Sequence, residues 1–213
     1  RRINTGGKPL NNQEIRNCLA AKPLRETLNK MVNLSEFKSA TDGSIKATRM
    51  DDQEIALRFI LFSRLYNEDK LLFNYTGYMD TSLDDLTENL NKLSEDAKEH
   101  WVKLFSNAMQ NAEYLFGRKY SFRKILPKDI EPNSYKQLIN KALFVSCSVL
   151  LSKYDAETIK INNSNGSLLV PLTIKIQEDP RLLNYLSYGT NGKANLQYVF
   201  GEIEKLILEH LKF

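Results

Sequence analysis

Asn4-Thr5-Gly6-Gly7-Lys8-Pro9-Leu10 is the stretch whose residue types and spacing could most readily do chemistry. Two adjacent glycines allow a tight turn and a close backbone approach to a ligand, while Asn, Thr and free amides supply hydrogen bonds for a phosphate or a ribose. The spacing is not that of a Walker loop, which needs four residues between its glycines and a Lys-Ser or Lys-Thr after the second. A Gly- and Asn-containing loop that leads into a capped helix is also an ordinary turn, and both readings stand at this level. A second cluster is basic: Arg118, Lys119, Arg123, Lys124 and Lys128, interleaved with Tyr120 and Phe122. Such a block could grip phosphates electrostatically and offer stacking faces to bases. It reads equally as a solvated interhelical loop whose aromatics anchor it to the core.

The remaining reactive residue types offer less. Cys18 and Cys147 are far apart with no Cys-x-x-Cys pair, so neither a zinc site nor a disulfide framework is expected, and both are read as small buried residues in a reducing cytoplasm. His100 and His210 sit in helical patterns rich in Lys and Glu without a positioned partner, and are read as structural. The acidic groups Asp51-Asp52-Glu54 and Asp84-Asp85 fall at expected helix starts, where carboxylates complement the helix dipole. No catalytic residue and no metal ligand is therefore assigned.

The elements that must position these residues follow from capping and periodicity. Asn11-Asn12-Gln13-Glu14 has the form of a capping box and opens a short helix to about Ala21, and Pro23 opens a second. Ser39 to Met50 is a loop. Asp51 starts a helix that is apolar on nearly every side through Leu65, which places it centrally. Helices are expected over about Thr81 to Leu93, Ser94 to Phe116 with Trp101 facing the core, Ser134 to Lys153, and Leu196 to Leu211. Between the last two, Thr158 to Ile161 and Leu168 to Ile176 flank an Asn-Gly pair and suggest a β-hairpin near 158–176. Leu168 to Leu186 could equally be helix interrupted at Pro171 and Pro180. The expected fold is all-α: one multi-helix orthogonal bundle spanning 1–213, with that hairpin the one exception.

With 213 residues, 42% of them hydrophobic, the chain is long enough for a substantial core. Its longest apolar runs fall well short of the roughly 20 residues a membrane helix needs, so no membrane role is expected. The net charge of +4 does not announce a nucleic-acid partner, but its distribution is uneven. Residues 1–49 carry ten Lys and Arg against four Asp and Glu, residues 50–99 five against twelve, and residues 100–153 nine against three.

The stretch from Arg2 to Asn17 resembles a family signature, F-x-R-I/L-N-T-G-G-x-P-L-x-x-Q-E-I/L-R-N, of the domain of unknown function 262 family, whose characterised branch is the GmrSD-type restriction enzymes directed at modified phage DNA. Weaker similarity continues through Arg58-Phe59, Tyr75-x-Gly77-x-Met79, Phe116-Gly117 with Phe122-Arg123-Lys124, and Gly189-Thr190. Members place a ParB-like core with an Asp-Gly-Gln-Gln-Arg motif first, and the Asn of a Phe-x-x-x-Asn motif, here Asn4, completes that site. The resemblance implies that this chain is the helical portion that follows such a core, without the His-Asn-His nuclease module of some members, and inactive alone. It also implies that Asn4, Thr5, Gly6, Gly7 and Arg16 contribute to a nucleotide site. A nucleoside triphosphate and a divalent metal then belong to the full-length nucleotide-dependent nuclease, the partners being its own N-terminal ParB-like domain and DNA. The alternative is a protein-protein interaction or oligomerisation module, with the apolar face of the helix from Leu196 to Leu211 as its surface.

Overall fold

The computed structural model describes residues 9–66, 72 and 74–212. Among them the fold is all-α. The helices are α1 (Asn12–Leu19), α2 (Lys22–Asn33), α3 (Ser35–Ala40), α4 (Asp51–Leu65), α5 (Met79–Asn89), α6 (Glu95–Phe116), α7 (Lys141–Leu151), α8 (Ala156–Asn162), α9 (Leu169–Glu178), α10 (Pro180–Ser187) and α11 (Lys193–His210). Short 3-10 turns occupy Thr48–Met50 and Pro127–Ile130.

The most central helix is α7, in which every residue from Ala142 to Leu151 is buried. A helix with no charged residue after Lys141 has no face to give to water, so α4, α6 and α11 pack around it. As its pattern required, α4 is buried from Ile55 through Phe62. Aromatic rings join α4 to α6 through Phe59 and Phe105 at 5.1 Å between centroids, and the loop after α6 to α7 through Phe122 and Phe144 at 4.6 Å, contacts worth about 0.5–1.5 kcal/mol each beyond area burial. Asn111, buried on α6, donates through Nδ2 to the carbonyls of Leu151 and Tyr154, both at 2.9 Å, and so satisfies acceptors that the end of α7 leaves open.

Three sequence expectations change. No hairpin forms near 158–176: Thr158 and its neighbours are in α8, capped by the Asp155 carboxylate, and the run from Leu168 is helix, α9 then α10, interrupted at Pro180 but not at Pro171, which sits in the first turn of α9. The Asn165-Gly166 turn serves α6 instead, because the Gly166 and Leu168 amides donate to the carbonyls of Tyr114 and Leu115 at 2.8 and 2.9 Å. The helix expected from Ser134 begins only at Lys141. Asn140 is its cap, accepting from the Ala142 and Leu143 amides, while Ile139 pairs with Arg123 and the Asn140 amide donates to the Phe122 carbonyl. Cys18, expected inside, is exposed, whereas Cys147 is buried and its thiol pushed up to about 12 by desolvation. Trp101 faces the core as expected, packed against it and half-buried.

The candidate oligomerisation face is spent within the chain. On α11, Leu196, Val199, Phe200, Ile203, Leu206 and Ile207 are all buried, packed against α7 and its neighbours. Among the described residues no helix is long and apolar enough to cross a membrane.

Candidate functional site

Arg16 organises the start of the chain. The Asn11 side chain accepts from the Glu14 amide at 2.8 Å, and the Glu14 carboxylate returns a bond to the Asn11 amide at 2.7 Å, so the expected capping box is formed and fixes where α1 begins. Arg16, one turn on, points inward with its side chain 3% exposed. It donates through Nε to Asp84 at 2.6 Å and pairs through Nη2 with Asp80. Burial alone would lower its pKa, but hydrogen bonds and charge from Asp80 and Asp84 outweigh this and raise it. The Arg16 hydrogen bond in turn holds Asp80 below the ordinary carboxylate range. Farther along, the Ala21 amide donates to Asn91 at 2.8 Å, so α1 and the chain after it lie alongside α5 in the same direction. The resemblance placed Arg16 in a nucleotide site; its guanidinium is committed to two carboxylates of α5.

A second buried arginine ties together three distant parts of the chain. Arg58 on α4 reaches Glu54 one turn before it at 2.8 Å and donates through Nη1 to the Asn191 side chain at 2.8 Å. Tyr75 donates its hydroxyl to the Asn191 carbonyl at 2.7 Å. Glu54 also receives Lys141 from the start of α7 at 2.9 Å. Desolvation would raise the Glu54 pKa, yet Arg58 and Lys141 prevail and lower it. Burial pushes Tyr75 up to about 12, so its hydroxyl stays a donor. Gly77 has φ +94, and a Cβ there would lie 3.5 Å from the Lys193 amide nitrogen, so the Tyr75–Met79 connector passes close to the start of α11. The Arg58 charge also helps hold Asp80 ionised, which couples the two arginine clusters electrostatically.

Arg49 closes this region at the chain's entry. It donates to the Pro9 carbonyl at 2.8 Å and pairs with Glu14 at 3.1 Å, while the Arg49 carbonyl accepts from the Asn11 side chain. Asn4, Thr5, Gly6 and Gly7 lie outside the described residues. Pro9, the first described residue, lies beside Arg49.

The basic block divides into an inner and an outer set. Arg123 was expected to contact nucleic acid, but at 1% exposure it is among the most buried large side chains. Its guanidinium donates to the carbonyls of Lys119, Gln137 and Thr41 and to the Ser44 hydroxyl, and desolvation lowers its pKa. It is a staple between the 117–140 loop and the 41–44 turn, inaccessible to a polyanion. Lys124 is half-buried and donates to Ser187 at 2.9 Å. Arg118 and Lys128 are exposed and Lys119 is partly so; Arg118 shares Asp42 with Lys136, at 3.1 and 2.5 Å. Phe122 is buried, as expected of an anchor, while Leu138, expected on the inside of the helix from Ser134, is 86% exposed and Tyr135 is 92% exposed.

Glu54, Asp80, Asp84 and Asn191 were missed as site residues. Glu54-x-x-x-Arg58 and Asp80-x-x-x-Asp84 carry the spacing that puts both members on one helix face. Their further partners, Lys141 and Asn191 for the first pair and Arg16 for the second, lie tens of residues away and leave no local signal. Asp51, Asp52 and Glu54 do occupy the first turn of α4 as the dipole argument required, with Glu54 taking a second task. His100 and His210 are exposed, and no cluster of three or more metal-ligating side chains occurs among the described residues. Among the described residues, each buried arginine of these clusters is met by a carboxylate, a carbonyl, a side-chain amide or a hydroxyl, an arrangement that holds distant backbone segments in register. Comparison with protein-family models, with curated proteins and with solved structures finds no match to this chain.

Proposed function

We propose that this chain is the helical scaffold region of a nucleotide-dependent DNA restriction or defence-type protein of the domain of unknown function 262 family. The observation that carries this reading is convergence. Arg16, Arg58 and Tyr75 with Gly77 belong to separate stretches quoted for the resemblance; Arg16 ties α1 to α5, and Arg58 and Tyr75 meet at Asn191, the residue after the quoted Gly189-Thr190. Buried ion pairs contribute little net stability compared with apolar residues of similar volume. Their value here lies in fixing α1 relative to the bundle. On this reading Asn4, Thr5, Gly6 and Gly7 complete a nucleotide site on an upstream ParB-like core in the cytoplasm, and a nucleoside triphosphate with a divalent metal acts there. Arg118, Lys119, Lys124 and Lys128 form the surface offered to DNA, without Arg123.

The test compares nucleoside triphosphate hydrolysis and DNA cleavage by residues 1–213, by the full-length protein and by full-length Asn4→Ala. The expected result is no activity in the first, activity in the second and a loss of roughly tenfold or more in the third, the equivalent of one good hydrogen bond in the transition state. Activity in residues 1–213, or an undisturbed Asn4→Ala protein, refutes the assignment.

A further inference from the structure

A cleft of about 410 Å³ opens between the 117–140 loop and the end of α10, and its walls include Lys124, Leu138, Asn140, Ser187 and Tyr188. That volume is within the range of pockets that take small organic ligands. The rim is apolar and open to solvent: Leu138 is among the most exposed apolar residues, and Tyr188 is 73% exposed. The polar groups below it are spent on one another. Asn140 donates through Nδ2 to the Leu186 carbonyl at 2.6 Å, and the Ser187 hydroxyl donates to the Leu183 carbonyl at 2.6 Å while accepting from Lys124 at 2.9 Å. Among the described residues Lys124 carries the one charge that lines the cleft, and it pairs with no carboxylate. An ammonium has three protons, so Lys124 keeps donors for a further acceptor.

We propose that this cleft takes an unpaired nucleotide of a single-stranded nucleic acid, its base stacked on the Tyr188 ring and its phosphate on Lys124. This rests on the functional reading above and names the form of nucleic acid that its cationic surface accepts. The charge selects an anion and the rim selects a flat apolar face; a nucleotide carries both. A base inside a duplex has its faces covered by its neighbours, so a stacking side chain can use it only where the strand is single or the base is turned out. Tyr135, exposed three residues before Leu138 and so within about 10 Å of it along the chain, supplies a second ring for a neighbouring base. The same loop carries Arg118, Lys119 and Lys128, which continue the charge along the strand's backbone. An acidic peptide would meet the same charge but no free strand edge, because the Gln137 carbonyl is taken by Arg123 and the Asn140 amide by the Phe122 carbonyl.

The test titrates residues 1–213 by fluorescence anisotropy with a dye-labelled thymidine oligonucleotide of about 12 nucleotides, within the span such sites cover, and with the same strand paired to its complement. The expected result is single-strand binding about tenfold or more tighter than duplex binding, weakened about five- to a hundredfold by Tyr188→Ala and little changed by Tyr188→Phe, which keeps the ring. Lys124→Ala should lower the salt dependence by about one phosphate contact, whereas Tyr188→Ala should leave it unchanged. Tyr188 is mostly exposed, so its substitution leaves the core untouched, and melting temperatures check this. Duplex bound as tightly as the single strand, or full affinity in Tyr188→Ala, overturns the proposal and leaves the functional reading standing. So does displacement of the strand by polyglutamate at equal charge concentration, which would assign the cleft to an acidic protein segment. No binding of either form at low salt removes the nucleic-acid surface altogether. Single-strand binding that needs Tyr188, in a full-length protein that neither hydrolyses nucleoside triphosphates nor cleaves DNA, refutes the functional reading alone.

Discussion

Arg58 and Asn191, 133 residues apart in sequence, are joined side chain to side chain at 2.8 Å, and Tyr75 holds the backbone carbonyl of the same asparagine at 2.7 Å. The loop before α11 is thus tied to α4 and to the connector before α5 through one residue. Arg58→Ala should cost about 3–5 kcal/mol, since it leaves Glu54 without its closest cation in a mostly buried place. Asn191→Ala should cost about 1–2 kcal/mol, and the double variant less than the sum. Urea titrations of the four proteins, with unchanged slopes, check this.

Acid should weaken the same clusters. Glu54 and Asp80 are both held below their ordinary values of 4.5 and 3.8. As pH falls through those values the unfolded chain takes up protons before the native one does, so stability declines with falling pH and the contribution is gone once the native carboxylates are protonated. Above about pH 5 it is fully present. Melting temperatures followed from pH 6 to pH 3 should therefore drop, and the drop should be shallower in Glu54→Gln, whose stability at pH 6 is already reduced.

Within the basic loop, two arginines five residues apart should respond in opposite ways. Arg123→Ala should destabilise by about 3 kcal/mol or more, because three carbonyls and a hydroxyl lose their donor in a dry place. Arg118→Ala and Lys128→Ala should stay within about 0.5 kcal/mol of the parent. If the outer set contacts DNA as proposed, each of these two surface changes should also lower the salt dependence of binding by about one phosphate contact. Chemical denaturation and DNA titration at several salt concentrations distinguish the two effects.

Asn111→Ala should destabilise by about 1–3 kcal/mol by releasing the carbonyls of Leu151 and Tyr154 at the end of α7. Amide exchange should then rise over residues 151–155 more than over the middle of α7.

Local chemistry made much of the architecture legible. The capping box at Asn11 and Glu14, the all-round apolar pattern of α4 and the stop of α6 at Gly117 all arise within one or two helical turns, and each is where the sequence placed it. Failures came where a distant partner decided the outcome. Asn165-Gly166 turns the chain, but toward the open carbonyls of α6 rather than into a hairpin. Gln137 to Asn140 lose their helix because Phe122 and Arg123 claim their backbone groups. The candidate site suffered most from the same cause: Arg123 reads as a surface cation until its carbonyl partners from residues 41, 119 and 137 are brought together, and Arg16 until Asp80 and Asp84 are.

The polar seat of α1 also sets when that helix exists. Two turns of helix are marginal in water, and α1 buries no apolar side chain of its own; its anchors on α5, Asp80 and Asp84, are themselves 62% and 59% exposed. It can form only after α5 has docked, and it is expected to open by local fluctuation well before the bundle does. The helix is therefore a latch whose opening costs far less than unfolding, so α1 can lift from α5 while the core stays shut.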